Sequence, residues 1–262
     1  MVEMSVASLN TRGIPLRSSQ LAERYAAIAR AFEASTVDVV CFQELFTYWH
    51  LRRLAARMPS FRHVSFRPSG AGPAGGLATL SRLPVARTRY HRFPLPRRTA
   101  DLPLRALFHA TLKGALVTEL AGPAARIVNT HPVANFDGDW SESNRYTPLL
   151  RSELTRLAEV ARDAAAPTIV CGDFNVAGDS VLHRDFVAKS GLTDAFDGRC
   201  PPTFRAEYLH KGQTPYCIDF ILVSDAITVT DTEVLFTGTE PLPGGPVALS
   251  DHLGLRATLS LP

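Results

Sequence analysis

Residues 168–175 read TIVCGDFN. Thr168–Cys171 is apolar or β-branched at consecutive positions, the pattern of a strand covered on both faces. Asp173 and Asn175 follow it directly. The same grammar recurs at 37–44, VDVVCFQE, where Gln43 and Glu44 close an apolar run. It recurs at 126–132, RIVNTHP, with His131 at the strand end, where Pro132 biases it toward an extended backbone. It also recurs at 5–10, SVASLN, which ends on Asn10. Polar residues at the carboxyl ends of strands are where an open α/β sheet presents ligand-binding groups. A glutamate beside a buried strand is expensive unless it is paired or holds a metal. Near the end come IDFIL, with Asp219 inside a strand, and SDH, with Asp251 and His252.

Further strands are predicted at Gly76–Ser81, Leu104–Leu112, Ala115–Leu120, Ile218–Val223 and His252–Leu259. Helical periodicity covers about 18–34, 46–57 and 147–164, with another helix near 180–190. Leu21, Tyr25, Ile28, Ala29 and Phe32 share one face of the first helix; Leu150, Leu154, Leu157, Val160 and Ala161 share one face of the third. Strands and helices alternate, but strands outnumber helices. Hairpins must therefore supplement βαβ units, which gives mixed sheets with helices outside. The Pro/Gly-rich stretches at 67–76, 93–103, 199–203 and 238–246 read as loops of a single domain spanning 1–262.

The chain is 262 residues, 45% hydrophobic and 20% charged, which excludes disordered, collagenous and disulfide-scaffold proteins. No apolar run reaches the length of a membrane span, and MVEMSVASLN reads as a first strand rather than a signal peptide, so a cytoplasmic location is expected. Cys41 and Cys171 sit in apolar runs and are expected to be reduced core thiols. Charge is unevenly placed. Between Leu45 and Lys113 there are twelve Arg and one Lys against Asp101 alone, a balance of +12, while the rest of the chain carries −9. This basic segment 45–113 is a candidate contact for an anionic membrane surface or nucleic acid. Arg52, Arg53 and Arg57 are expected on a helix near the site mouth, with Arg97 and Arg98 on a neighbouring loop. No protein partner is evident.

Each polar cluster alone has an ordinary structural explanation. Asn10 can start a turn, DFN can be an Asx turn, and a lone His131 is more often a satisfied strand-end histidine. Their order along one chain carries the information. That order resembles the endonuclease/exonuclease/phosphatase superfamily, metal-dependent phosphoesterases related to pancreatic-type deoxyribonuclease. The likeness rests on LNT (9–11), QE (43–44), NTH (129–131), GDFN (172–175), ID (218–219) and SDH (250–252), and runs from about Ser5 to Leu259.

The resemblance implies an α/β fold, a four-layer sandwich of two mixed β-sheets packed face to face with helices outside. It implies an active site at one end of that sandwich. Glu44 matches the ligand of a divalent cation, usually Mg²⁺ with Mn²⁺ as an alternative, and Asn10 and Asp251 match residues that complete or support its shell. Asp173 matches a water-activating carboxylate, and Asn175 a donor to a phosphate oxygen. His131 and His252 match phosphate-binding imidazoles, with Asp219 fixing the tautomer of His252. Either Asp173 or His252 could be the general base. His131 matches the branch of deoxyribonuclease, neutral sphingomyelinase and some phosphatases, whereas abasic-site endonucleases differ there. GPAGGLATLSRLPV (72–85), and Trp49 five residues after Glu44, are similar to neutral sphingomyelinases and their bacterial relatives. The chain departs from the pattern in Pro132, where leucine is commoner, and in lacking a clear Arg-x-x-Gln after the NTH loop.

The implied function is Mg²⁺-dependent hydrolysis of a phosphodiester, sphingomyelin-like or small. The alternatives are a DNA or RNA nuclease, a phosphomonoesterase on inositol phosphates, and a catalytically silent binding scaffold of the same fold. Trp140, in the polar loop NFDGDWSESN, is expected to be exposed and to meet a ligand or a lipid surface. Phe46 and Tyr146 are expected to pack against the sandwich.

Overall fold

A computed structural model describes residues 1–14, 20–95, 101–163, 166–209 and 212–262. In chain order the elements are β1 (Val2–Asn10), α1 (Leu21–Glu33), β2 (Val39–Gln43), α2 (Tyr48–Ala55), β3 (His63–Ser65), β4 (Ala78–Ser81) and β5 (Val85–Arg92). They continue with α3 (Leu104–Ala110), β6 (Gly114–Leu120), β7 (Arg126–Thr130), α4 (Thr147–Arg162), β8 (Thr168–Asp173), α5 (Val181–Ser190) and β9 (Thr193–Asp194). The chain closes with β10 (Asp219–Val223), β11 (Thr228–Leu235), a hairpin of β12 (Glu240–Leu242) and β13 (Gly245–Val247), and β14 (Gly254–Leu261).

Two mixed sheets result. One has the order β11-β14-β1-β2-β4-β3, the other β5-β6-β7-β8-β10-β9. Each contains one parallel pair, β1 with β2 and β7 with β8, and antiparallel neighbours elsewhere.

Alternation along the strands builds the layers. Met4, Val6, Val39, Cys41, Ile127, Ile169, Cys171 and Ile221 form the core between the sheets. The residues one step along face outward. Ala7, Leu9, Val40 and Phe42 pack under α1 and α2 through Tyr25, Ile28, Phe32, Leu51 and Leu54. Val128, Val170, Phe220 and Leu222 pack under α4 and α5 through Leu150, Leu154, Leu157 and Phe186. The four-layer sandwich expected from the sequence is therefore the observed architecture. No helix among the described residues is long and apolar enough to cross a membrane. Cys41 and Cys171 are buried free thiols, as expected, and Cys200 and Cys217 are half-buried free thiols.

One predicted strand is wrong. Leu104–Leu112 contains helix α3, which buries Ala106 and Ala110, one turn apart, and leaves Leu104 and Phe108 85% and 65% exposed. Its apolar density mimics a buried strand, but its large side chains point away from the core. Arg97 and Arg98 lie outside the described residues. Arg52 and Arg53 are on α2, and Arg57 lies just past its end.

Candidate active site

The inward parity that builds the inter-sheet core continues to the strand ends and there turns polar. Asn10, Asp173 and Asp219 occupy inward positions at one end of the seam, and His131 follows β7 at the same end. Asp219 opens β10 and pairs in register with Asp173. Just beneath, Gln43 Nε2 donates to Asn129 Oδ1 (2.8 Å), a buried polar link from one sheet to the other. Asn129 in turn donates to the carbonyls of Phe42 and Ala78.

Asp173 is the hub. One carboxylate oxygen accepts from Asn10 Nδ2 (2.9 Å) and lies 3.3 Å from His131 Nε2 and 3.7 Å from His252 Nε2. The other accepts the N–H of Asn175 (2.9 Å). His252 Nδ1 donates to Asp219 Oδ2 (2.8 Å), and Phe204 stands edge-on to its ring. Asn10 Nδ2 also donates to Glu44 Oε1 (3.3 Å), and the N–H of Gly13 to Glu44 Oε2 (3.2 Å). Asn175 Nδ2 donates to the carbonyl of Pro132 (3.1 Å), tying the GDFN and NTH loops together. Asp251 is half-buried, 3.5 Å from the Arg12 guanidinium. The structure thus links seven of the eight site residues expected from the sequence, from Asn10 to His252, while Asp251 stands beside them on Arg12.

Local backbone serves these contacts. Glu44 (φ 63°) and Asn175 (φ 53°) are left-handed, a conformation that costs energy in non-glycine residues and clusters at functional sites. Gly172 has φ 147°, and a Cβ there would stand 2.0 Å from the carbonyl oxygen of Thr130, so only glycine lets β8 lie against β7 before Asp173. Buried Arg24 donates to the carbonyls of Thr11, Arg12 and Leu249, and Ser250 Oγ to that of Asn10. These bonds lock the Ser250–His252 turn onto the end of β1.

Electrostatics follow from the packing. Burial pushes the Asp173 carboxyl up, but the His252 charge and hydrogen bonds from His131 and Asn10 outweigh it and hold the group below the usual carboxylate range. Burial disfavours charge on His252, yet Asp219 and Asp173 raise it well above an ordinary imidazole. Burial raises Asp219, against the pull of His252.

Three residues, Lys113, Glu153 and Thr203, escaped the sequence reading. Lys113, nearly buried at the start of β6, has its ammonium pKa pushed down by burial and raised again by Glu44, Asp173 and Glu153. Burial outweighs them, and the ammonium stays below the usual lysine range. Glu153 is fully buried, and its Oε2 accepts the N–H of Val133 (2.9 Å), next to the His131–Pro132 turn. Buried Thr203 accepts the N–H groups of Ile218 and Asp219 on Oγ1. Trp140 is not exposed as expected: it is partly buried, its Nε1 donates to the carbonyl of Asn175 (2.9 Å), and its ring meets Tyr216 edge-on. Tyr146 is buried as expected, whereas Phe46 is 39% exposed. An aromatic in a polar loop was the signal for Trp140. A lone lysine, glutamate or threonine carries none.

The set is rich in hard oxygen. Ligand atoms of Asp173, Asp219 and His252 lie within 4.8 Å of one another. Asp219 is already engaged by His252, while Glu44 is half-exposed at the edge of the group. Carboxylate oxygens of this kind fit a hard divalent cation that keeps several waters.

Two six-stranded mixed sheets with helices outside, and a carboxylate–imidazole cluster at the end of their seam, define a phosphoesterase-type α/β sandwich. The chain belongs to the Endonuclease/Exonuclease/phosphatase family, whose profile matches residues 7–252. It is similar to a putative neutral sphingomyelinase of Drosophila melanogaster, 23% identical over all of this chain and 61% of that protein. The chain spans about half to three-fifths of the length of the curated relatives it matches. Its fold is similar to the crystal structure of humanized D. rerio TDP2 (TM-score 0.74, 18% identity, 98% of this chain and 99% of that one). It is also similar to Staphylococcus aureus beta toxin with bound magnesium ions (TM-score 0.71, 15% identity, 98% and 99%).

Proposed function

We propose that this chain is a metal-dependent phosphodiesterase acting on a phospholipid-type phosphodiester of the sphingomyelin kind. The observation that carries the reading is Asp173, a buried carboxylate kept ionised between two imidazoles and an amide beside the Glu44 oxygens. Similarity to a putative neutral sphingomyelinase supports the substrate class.

Asp173 is the better base of the two candidates. It is held ionised, whereas His252 is held protonated by Asp219 and Asp173. Asp173 orients a water and takes its proton as the oxygen attacks phosphorus. The P–O bond to the alcohol breaks in line, and the departing alkoxide takes a proton from solvent. His252 and His131 donate to the non-bridging oxygens, and Asn175, fixed by Pro132 and Trp140, donates to the charge that grows there. Glu44, Asn10 and Asp251 would hold the cation, for which we propose Mg²⁺. When bound, it polarises the phosphoryl oxygen and stabilises the leaving alkoxide.

The test is a substrate panel with Mg²⁺: sphingomyelin, bis(p-nitrophenyl) phosphate, single- and double-stranded DNA, RNA and inositol phosphates. Release of phosphocholine from sphingomyelin at a rate well above nucleic-acid cleavage is expected. Preferred cleavage of nucleic acid would overturn the lipid assignment and leave the phosphodiesterase reading. Turnover of none of them would overturn both.

A further inference from the structure

Among the described residues, six of the eleven exposed large apolar side chains gather at one end of the sandwich. Phe46, Trp49, Leu104, Phe108, Leu112 and Phe136 are all exposed, and all lie on connections at the cleft end of the sandwich. Register fixes this placement. Phe46 and Trp49 follow β2 beyond Glu44, and Phe136 follows β7 beyond His131. α3 precedes β6, whose first residues pair with the last of β7, since Ala115 lies opposite Thr130. The rim is continuous with the site. A Cβ on Gly75 would stand 3.1 Å from the Leu112 carbonyl, and one on Gly76 would stand 3.2 Å from the Glu44 backbone.

α3 has its large residues on the solvent side. Leu104, Phe108 and Leu112 recur every fourth residue, one stripe along the helix and its end, while Ala106, Ala110 and half-buried Leu107 face the core. A soluble monomer seldom exposes such a stripe beside its cleft without a surface to meet. Cations accompany the apolar groups. The Arg105 guanidinium lies 4.5 Å over the Phe136 ring and that of Arg53 4.9 Å over the Trp49 ring. Residues 102–113 carry Arg105, His109 and Lys113 with no carboxylate, and α2 carries Arg52 and Arg53 with none. Apolar side chains flanked by arginine, with Trp and Phe among them, are the composition of a surface that sinks into a headgroup layer.

We infer that this rim is an interfacial docking surface for a bilayer with anionic headgroups, with the α3 stripe and Phe136 entering the apolar boundary and Arg53 and Arg105 on the headgroup phosphates. The inference rests on the lipid reading of the site. It explains how a site at the sandwich end reaches a phosphodiester that stays in the membrane plane.

The experiment is co-sedimentation with phosphatidylcholine vesicles with and without phosphatidylserine, with a DNA gel shift alongside. Bis(p-nitrophenyl) phosphate hydrolysis and circular dichroism control for site and fold. Wild type is expected to partition onto vesicles and to favour the anionic ones. Leu104→Ser with Phe108→Ser should weaken partition roughly tenfold or more. Arg53→Gln with Arg105→Gln should erase the preference for anionic vesicles. Both double variants should keep their circular dichroism and their turnover of the soluble ester. Absence of wild-type binding to anionic vesicles, or unchanged binding by the Leu104/Phe108 variant, would overturn the inference. A DNA shift lost in the same variants without vesicle binding would assign the rim to nucleic acid and overturn it as well. Vesicle binding without hydrolysis of any phosphodiester would leave the docking surface standing and overturn the enzymatic reading.

Discussion

Replacing Glu153 by glutamine isolates a charge that the fold holds at a cost beside the His131–Pro132 turn. Glu153 is fully buried on α4; Oε2 accepts the Val133 N–H, and Oε1 has no partner among the described residues. Burial pushes its carboxyl up to about 7, although the Val133 bond and the Lys113 charge draw it down. In the unfolded chain it titrates near 4.5. Between those two values the folded protein holds a proton that the unfolded chain has lost, so stability falls as pH rises through this window. At about 1.4 kcal/mol per pH unit the full loss is about 3 kcal/mol. Glutamine does not titrate, and its carbonyl can keep the Val133 bond. Relative to wild type, Glu153→Gln should therefore gain about 2–3 kcal/mol between roughly pH 5 and pH 8.5. Urea unfolding of both proteins at the two pH values, followed by circular dichroism, measures the gap. Titrating groups away from Glu153 are common to both and cancel; Lys113 interacts with it. A gap that is the same at both pH values would refute the reasoning.

Asp219→Asn should cut kcat roughly a hundredfold or more with KM little changed, because His252 loses the carboxylate that orients it and favours its protonated form; an NMR titration should find the His252 pKa lower than in wild type. Trp140→Phe keeps the packing on Tyr216 but loses the bond to the Asn175 carbonyl, and should lower kcat about fivefold, the worth of about 1 kcal/mol. Thr203→Val strands the Ile218 and Asp219 N–H groups and should destabilise by about 2–3 kcal/mol in urea unfolding, with Thr203→Ser restoring most of it.

The central strands were legible because both their faces are buried, which writes consecutive apolar letters such as VDVVCF and TIVC. The edges were not. β5 (VARTRYHR) and β11 (TVTDTEVL) flank the two sheets, and their charged, exposed side chains leave no apolar run to read. α3 reads as a strand because its apolar density mimics burial, whereas Leu104 and Phe108 face solvent. The candidate site was legible where it sits on strand ends, since Asn10, Glu44, His131, Asp173 and Asp219 each follow or open an apolar strand. Lys113, Glu153 and Thr203 were not, because only the packing of β6, α4 and the 200–218 segment against the seam brings them to the cluster. Trp140 could be flagged but not placed. Its bond to Asn175 depends on how the loop after β7 folds over the one after β8.

Reversible chelation tests the central claim most directly. Hydrolysis of sphingomyelin and of bis(p-nitrophenyl) phosphate should be measured for wild type and Glu44→Gln in EDTA and again after excess Mg²⁺. Wild-type turnover should vanish in EDTA and return with Mg²⁺, whereas Glu44→Gln should fold normally and stay inactive in both. Undiminished wild-type turnover in EDTA, or full activity of Glu44→Gln, would contradict the account.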